Sequence, residues 1–169
     1  MKKIIFVTAP EEFRDEEYYK PKKVLEEVGI EVITASLKVG ELNGKFGYKA
    51  MSTFTIQDIN LNDFDAIAYI GGNGSNVFFY DPCALKLASN FFKRKKPIAS
   101  ICIASVILAN AGILKGRKAT VFSDGKEFLI KGGAIYTGSP IEVDENIITA
   151  NGPEVAEDFG KAIVKAMSN

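Results

Sequence analysis

Apolar residues in this chain fall into short, nearly unbroken runs separated by stretches with helical spacing. Lys2 to Ala9 bounded by Pro10, Glu31 to Ser36, Phe64 to Ile70 and Pro97 to Ile101 have the length and branching of strands buried on both faces. Between them the spacing turns helical. Pro21 suits the first turn of a helix whose inward residues are Val24, Leu25 and Val28, closed by Gly29, and Asp81-Pro82 opens another carrying Leu85, Ala88, Phe91 and Phe92. Leu37 to Tyr48, with Gly40, Gly44 and Gly47, predicts a hairpin or extended loop, with Met51 to Ile56 pairing beside it. Further strands are predicted over Lys118 to Phe122 and Ala134 to Gly138, and a hairpin within Ile141 to Ala150 turning at Asp144-Glu145-Asn146. A short helix is predicted from Lys126 to Lys131, and a terminal one from about Pro153 to Met167 has Val155, Phe159, Ile163 and Val164 on one face. Strands alternating with helices predict an α/β fold, a doubly wound, mostly parallel sheet sandwiched by helices with a small β-hairpin. With 169 residues and no linker or repeat, one domain over 1–169 is expected.

The most informative stretch is Pro97 to Gly112, where a strand passes into a helix at Cys102. Small residues two before and two after it, Ser100 and Ala104, are what a sharp nucleophile elbow needs, because larger side chains would collide as the chain reverses. Backbone N–H groups opening the next helix would face the sulfur and favour its thiolate. Two other segments follow strand ends: the acidic loop Glu11 to Glu17 and the loop Gly71-Gly72-Asn73-Gly74-Ser75, built for close backbone approach. In doubly wound sheets ligands bind outside the carboxyl ends of the strands, so all three are candidates for one crevice. Cys83, beside Pro82 at a helix start, reads as structural.

Composition narrows the chemistry. Lys+Arg and Asp+Glu both number 21, so no field of one sign favours nucleic acid. No apolar run is long enough to span a membrane, and the two cysteines point away from a disulfide scaffold and towards the cytoplasm. Gly72-Asn73-Gly74 is only a fragment of a dinucleotide fingerprint, and no cofactor is implied. Histidine is absent. A Cys–His pair, a Ser–His–Asp triad and an imidazole metal site are therefore impossible, even between identical subunits, and no metal is expected.

Phe64-Asp65-Ala66 leading to Gly71-Gly72, Pro97 to Cys102, Ala111 to Thr120, and Gly44-Lys45-Phe46-Gly47-Tyr48 together resemble the ThiJ/PfpI superfamily of flavodoxin-like proteins, nearest its intracellular protease-like branch. The resemblance implies that Cys102 is the elbow cysteine, that Gly72 and Ile103 donate oxyanion-hole N–H groups, and that the acidic loop faces the sulfur. It also implies a homodimer or larger homo-oligomer. Protease-like members follow the cysteine with His, where this chain has Ile103; a His near the end of the next strand in another branch corresponds to Phe122. A family Glu in the acidic loop falls, by spacing from Pro21, on Arg14, with Glu12 and Glu17 nearby. The resulting expectation is Cys102 attacking a small electrophile or peptide, Glu12 or Glu17 managing protons, and Arg14 and Gly71 binding, in glyoxalase- or deglycase-like or other hydrolase-like chemistry. The alternative is a non-catalytic redox or stress-response protein whose Cys102 oxidises to a sulfinate held by Arg14.

Overall fold

The apolar runs become the centre of one sheet. The computed structural model describes residues 1–169. In chain order it contains β1 (Lys3–Val7), β2 (Glu11–Phe13), α1 (Asp15–Glu27), β3 (Glu31–Ser36), β4 (Gly40–Gly44), β5 (Lys49–Ser52) and β6 (Phe54–Thr55). Then come β7 (Ala66–Tyr69), α2 (Pro82–Lys93), β8 (Ile98–Ile101), α3 (Ser105–Asn110), β9 (Lys118–Ala119) and α4 (Lys126–Lys131). The chain ends with β10 (Ile135–Tyr136), β11 (Ile141–Asp144), β12 (Ile147–Ala150) and α5 (Ala156–Met167). Seven strands pair in the order β11-β12-β8-β7-β1-β3-β6. Every pairing is parallel except the β11–β12 hairpin.

Alternate side chains of these strands feed two apolar layers. Ile5, Val7, Ile67 and Tyr69 meet Leu87 and Phe91 of α2, Val106 of α3 and Leu129 of α4 on one face. Ile4, Phe6, Ala66 and Ala68 meet Tyr18 and Leu25 of α1 and Phe159 and Ile163 of α5 on the other. Strands covered on both faces have no polar face to show, which is why their sequences are unbroken apolar runs. The fold is the mostly parallel α/β sandwich that the pattern predicts, and the small hairpin is β4–β5.

The acidic segment departs from expectation. Rather than a loop, it holds a short strand, β2, which pairs with β4 in a separate three-stranded sheet, and then the first turn of α1. The helix therefore starts at Asp15, six residues before Pro21, which lies inside it. Asp15 and Glu16 stabilise that earlier start because carboxylates complement the positive end of the helix dipole. Pro21 removes only the hydrogen bond to the Glu17 carbonyl, and its ring packs where α5 crosses: a Cβ on Gly160 would stand 2.9 Å from Pro21 Cα. The predicted strand Lys118 to Phe122 shortens to β9, which pairs with β10 outside the main sheet.

Asp15 also ties the hairpin to the helix. Its carboxylate accepts hydrogen bonds from the N–H groups of Phe46 at 3.0 Å and Tyr48 at 2.8 Å. Gly44 passes so close that a Cβ there would lie 2.8 Å from the Asp15 carboxyl carbon. Asp15→Ala strands two backbone donors and is expected to lower unfolding free energy by about 1–3 kcal/mol in urea titrations; an unchanged midpoint would show the hairpin docks without it.

Candidate active site

The chain runs from β1 to β3 and β6 in one direction, then crosses back to β7, β8 and β12 on the other side of β1. The switch point therefore lies between β1 and β7, and its carboxyl ends open the crevice in which such sheets bind ligands. Arg14 and Glu17 follow β1, Gly71 and Gly72 follow β7, and Cys102 follows β8.

Cys102 has φ +61°, a left-handed conformation that costs a non-glycine residue about 1 kcal/mol or more. It opens a tight turn over Cys102–Ala104 that leads into α3. Two buried hydroxyls, Ser100 and Ser105, hydrogen-bond at 2.6 Å across the bend, and the Cys102 carbonyl accepts from Phe122 N–H at 3.3 Å. The small side chain at Ser100 thus does more than avoid a clash: it clamps the elbow. Cys102 is 9% exposed, so little of it meets solvent.

Gly71 and Gly72 let three loops touch. A Cβ on Gly71 would overlap the Glu17 carboxyl and stand 2.7 Å from Cys102 Cβ. Gly72, at φ +102°, would place a Cβ against Arg14 N and 2.6 Å from the Glu12 carbonyl. The Gly71 carbonyl accepts from Arg14 N–H at 2.9 Å, fastening the start of α1 to the end of β7. Backbone N–H groups of Ile103 and Gly72 face the Cys102 sulfur, the arrangement that stabilises negative charge there or on an adjacent oxygen.

The carboxyl against the sulfur belongs to Glu17. Spacing from Pro21 puts the family's glutamate position at Arg14, with Glu12 and Glu17 nearby; the fold turns Glu17 inward. Because α1 starts at Asp15, Arg14 and Glu17 stand one turn apart and both reach the crevice. Glu17 is fully buried beside the Cys102 thiol and Gly71 N–H, yet neither neighbour meets strict hydrogen-bond geometry and both carboxyl oxygens lack a well-aligned partner. Burial raises its pKa from 4.5 to about 8, against the opposing pull of the thiol and of Arg14. Burial, and then the Glu17 charge, push the thiol up to about 12, while the Ile103 and Gly72 N–H groups pull it down. Two acids in one desolvated space ionise as a pair: the first proton leaves with difficulty, the second with far more.

A cavity of about 250 Å³ joins Arg14, Glu17, Gly72, Cys102 and Ile103 with Lys45, Asn73, Phe122, Asp124 and Pro153. Arg14 donates through Nε to Glu16 at 2.7 Å and lies over the Phe46 ring, 5.0 Å from its centroid. Gly71 borders the site through backbone contact alone. Glu12 is exposed at φ +56° and is not among the cavity-lining residues. Nothing local in the sequence marks Lys45, which reaches the cavity only because the β4–β5 hairpin docks there. Cys83 sits in the first turn of α2, partly buried and outside the crevice. A larger groove of about 610 Å³ runs along the outside of α1 between Tyr19 and Tyr48, but it is open and holds no nucleophile.

The DJ-1/PfpI family model matches residues 2–166. The chain belongs to that family. A deglycase of Pyrococcus horikoshii is 35% identical to this DJ-1/PfpI chain over 165 residues, covering 98% of it and 99% of the relative. An uncharacterized protein of Methanocaldococcus jannaschii is 41% identical over 168 residues, covering 98% of this chain and 82% of its own. The crystal structure of a ThiJ/PfpI domain protein from Brachyspira murdochii superposes with a TM-score of 0.96 at 31% identity, over 98% of this chain and 96% of that one. No helix is long and apolar enough to cross a membrane.

A carboxyl whose folded pKa exceeds its unfolded value binds a proton more tightly in the native state, so its contribution to stability falls as pH rises through that interval. For Glu17 the interval runs from 4.5 to about 8. Glu17→Gln keeps the shape without the proton; its stability advantage over wild type should grow across that range and level off above it. Thermal melts of both proteins at matched pH test this, and a constant difference would place the Glu17 proton elsewhere.

Proposed function

We propose that this DJ-1/PfpI protein is a cysteine-dependent enzyme acting on small reactive carbonyl compounds, glyoxalase- or deglycase-like, with Cys102 as nucleophile. The observation that supports it best is the buried Cys102–Glu17 pair facing two converging N–H groups inside a small cavity. Burial makes the Glu17 carboxylate a stronger base than an exposed one, with a pKa near the working range, which is the requirement an imidazole would otherwise meet. Relatives named deglycases accompany one named a putative cysteine protease, and it is the small cavity that favours small carbonyl compounds over peptides.

In this reading Sγ adds to the aldehyde carbon of a 2-oxoaldehyde. The S–C bond forms, the carbonyl electron pair moves to oxygen near the Gly72 and Ile103 N–H groups, and the thiol proton passes by way of the Glu17 carboxylate to that oxygen, giving a hemithioacetal and leaving Glu17 ionised. Glu17 then takes the C1 proton and returns it to C2 while the C1 hydroxyl proton passes to the C2 oxygen, converting the hemithioacetal into a thioester of the 2-hydroxy acid. Water hydrolyses the thioester and restores the thiol. Substrate plus water equals product, with no external oxidant or reductant. A cytoplasmic setting and a homodimer or larger homo-oligomer accompany the proposal.

Cys102→Ser should reduce methylglyoxal consumption at least about 100-fold, as loss of a covalent nucleophile does, while Cys83→Ser leaves the rate within about twofold. Equal activity in the two variants would sink the proposal. Selective addition of two oxygens to Cys102 under mild peroxide, without turnover, would favour the redox alternative instead.

A further inference from the structure

Arg14 is held from behind. Its Nε is taken by Glu16 at 2.7 Å and its plane lies over Phe46, while Nη1 and Nη2 have no acceptor in the protein. The residue lines the same cavity as Cys102 and Glu17, and its charge is felt by both. A guanidinium fixed at Nε and open at both Nη atoms presents the fork that matches a carboxylate bidentately. Lys45, which also lines the cavity, makes no ion pair and stands 5.7 Å from the centroid of the same ring. Phe46 is thus flanked by two cations, and the Asp15 hydrogen bond to its N–H fixes that arrangement to α1.

The geometry points to an anion subsite beside Cys102: the cavity selects carbonyl compounds that carry a carboxylate near the reacting carbon, with Arg14 as the specificity-determining residue and Lys45 assisting. This rests on the proposed role of Cys102 as nucleophile. Two further features support it. Glu17, the buried acid nearest the sulfur, has its pKa raised by burial to about 8, so at neutral pH only the minor ionised fraction that serves as base opposes an arriving carboxylate. Asp124, the remaining acidic residue of the lining, is solvent-exposed, where water screens its repulsion. A volume of about 250 Å³ suits a compound of a few carbons rather than a peptide.

Iodoacetate and iodoacetamide are near-isosteric probes that differ in charge. Each alkylates a thiol by forming an S–C bond as iodide leaves with its electron pair and the thiol proton is released. Their rates at Cys102, followed by mass spectrometry in the Cys83→Ser background, give a carboxylate-to-amide ratio that is divided by the same ratio for a simple neutral thiol. The normalised ratio should be about tenfold or more, given the strength of hydrogen bonds between charged groups. It should fall to within about twofold of unity in Arg14→Gln and remain intermediate in Arg14→Lys, which keeps the charge but loses the fork. A normalised ratio near one in the wild type, or one unchanged by Arg14→Gln, overturns the subsite.

If Cys102 takes neither probe, the nucleophile reading fails and the subsite is judged alone. Amide shifts of Gly72 and Ile103 on titration with acetate against acetamide then decide it. Acetate-specific shifts lost in Arg14→Gln uphold the subsite, and equal responses refute it.

Discussion

Two ionisable groups, the Cys102 thiol and the Glu17 carboxyl, share one desolvated space, and everything around them is arranged to make that tolerable. Burial alone would suppress both charges. The Ile103 and Gly72 N–H groups offset part of that suppression at the sulfur, and Arg14 does so at the carboxyl. The pair therefore admits its first negative charge near neutrality and resists a second. A chain without histidine has few other ways to place a proton acceptor in the physiological range beside a thiol.

Keeping that space small requires backbone where side chains would ordinarily be. Gly71 is the point of closest approach: the Glu17 carboxyl and the elbow both press against its Cα. Gly72 performs the corresponding task against Arg14 and Glu12. The strain at Cys102, φ +61°, is borne by the clamp between Ser100 and Ser105 and by four parallel strands behind it, β12, β8, β7 and β1, which are buried on both faces. Local cost is offset by global packing, which is how strained conformations persist at functional sites.

The mouth of the crevice has a different origin. It depends on the β4–β5 hairpin, which packs on the start of α1 through the Asp15 carboxylate and brings Lys45 and Phe46 beside Arg14. What distinguishes a substrate within such a fold depends on side chains of this kind rather than on the sheet.

The sequence by itself determined the sheet, the elbow and the excluded mechanisms. Strands buried on both faces must be unbroken apolar runs, so β1, β3, β7 and β8 were legible from composition along the chain. A sharp strand-to-helix turn demands small flanking residues, so Cys102 stood out between Ser100 and Ala104; the lack of histidine settled what could not partner it. Only the tertiary structure decided which acidic residue meets the sulfur. Pro21 signals a helix start, yet the carboxylates of Asp15 and Glu16 and the packing of α1 on α5 carry the helix a turn and a half further back. That shift sets which face Glu17 occupies, turns it inward beside Cys102, and leaves Glu12 in solvent. Rotation about a helix axis depends on where the helix begins, and where it begins is fixed by contacts distant in sequence.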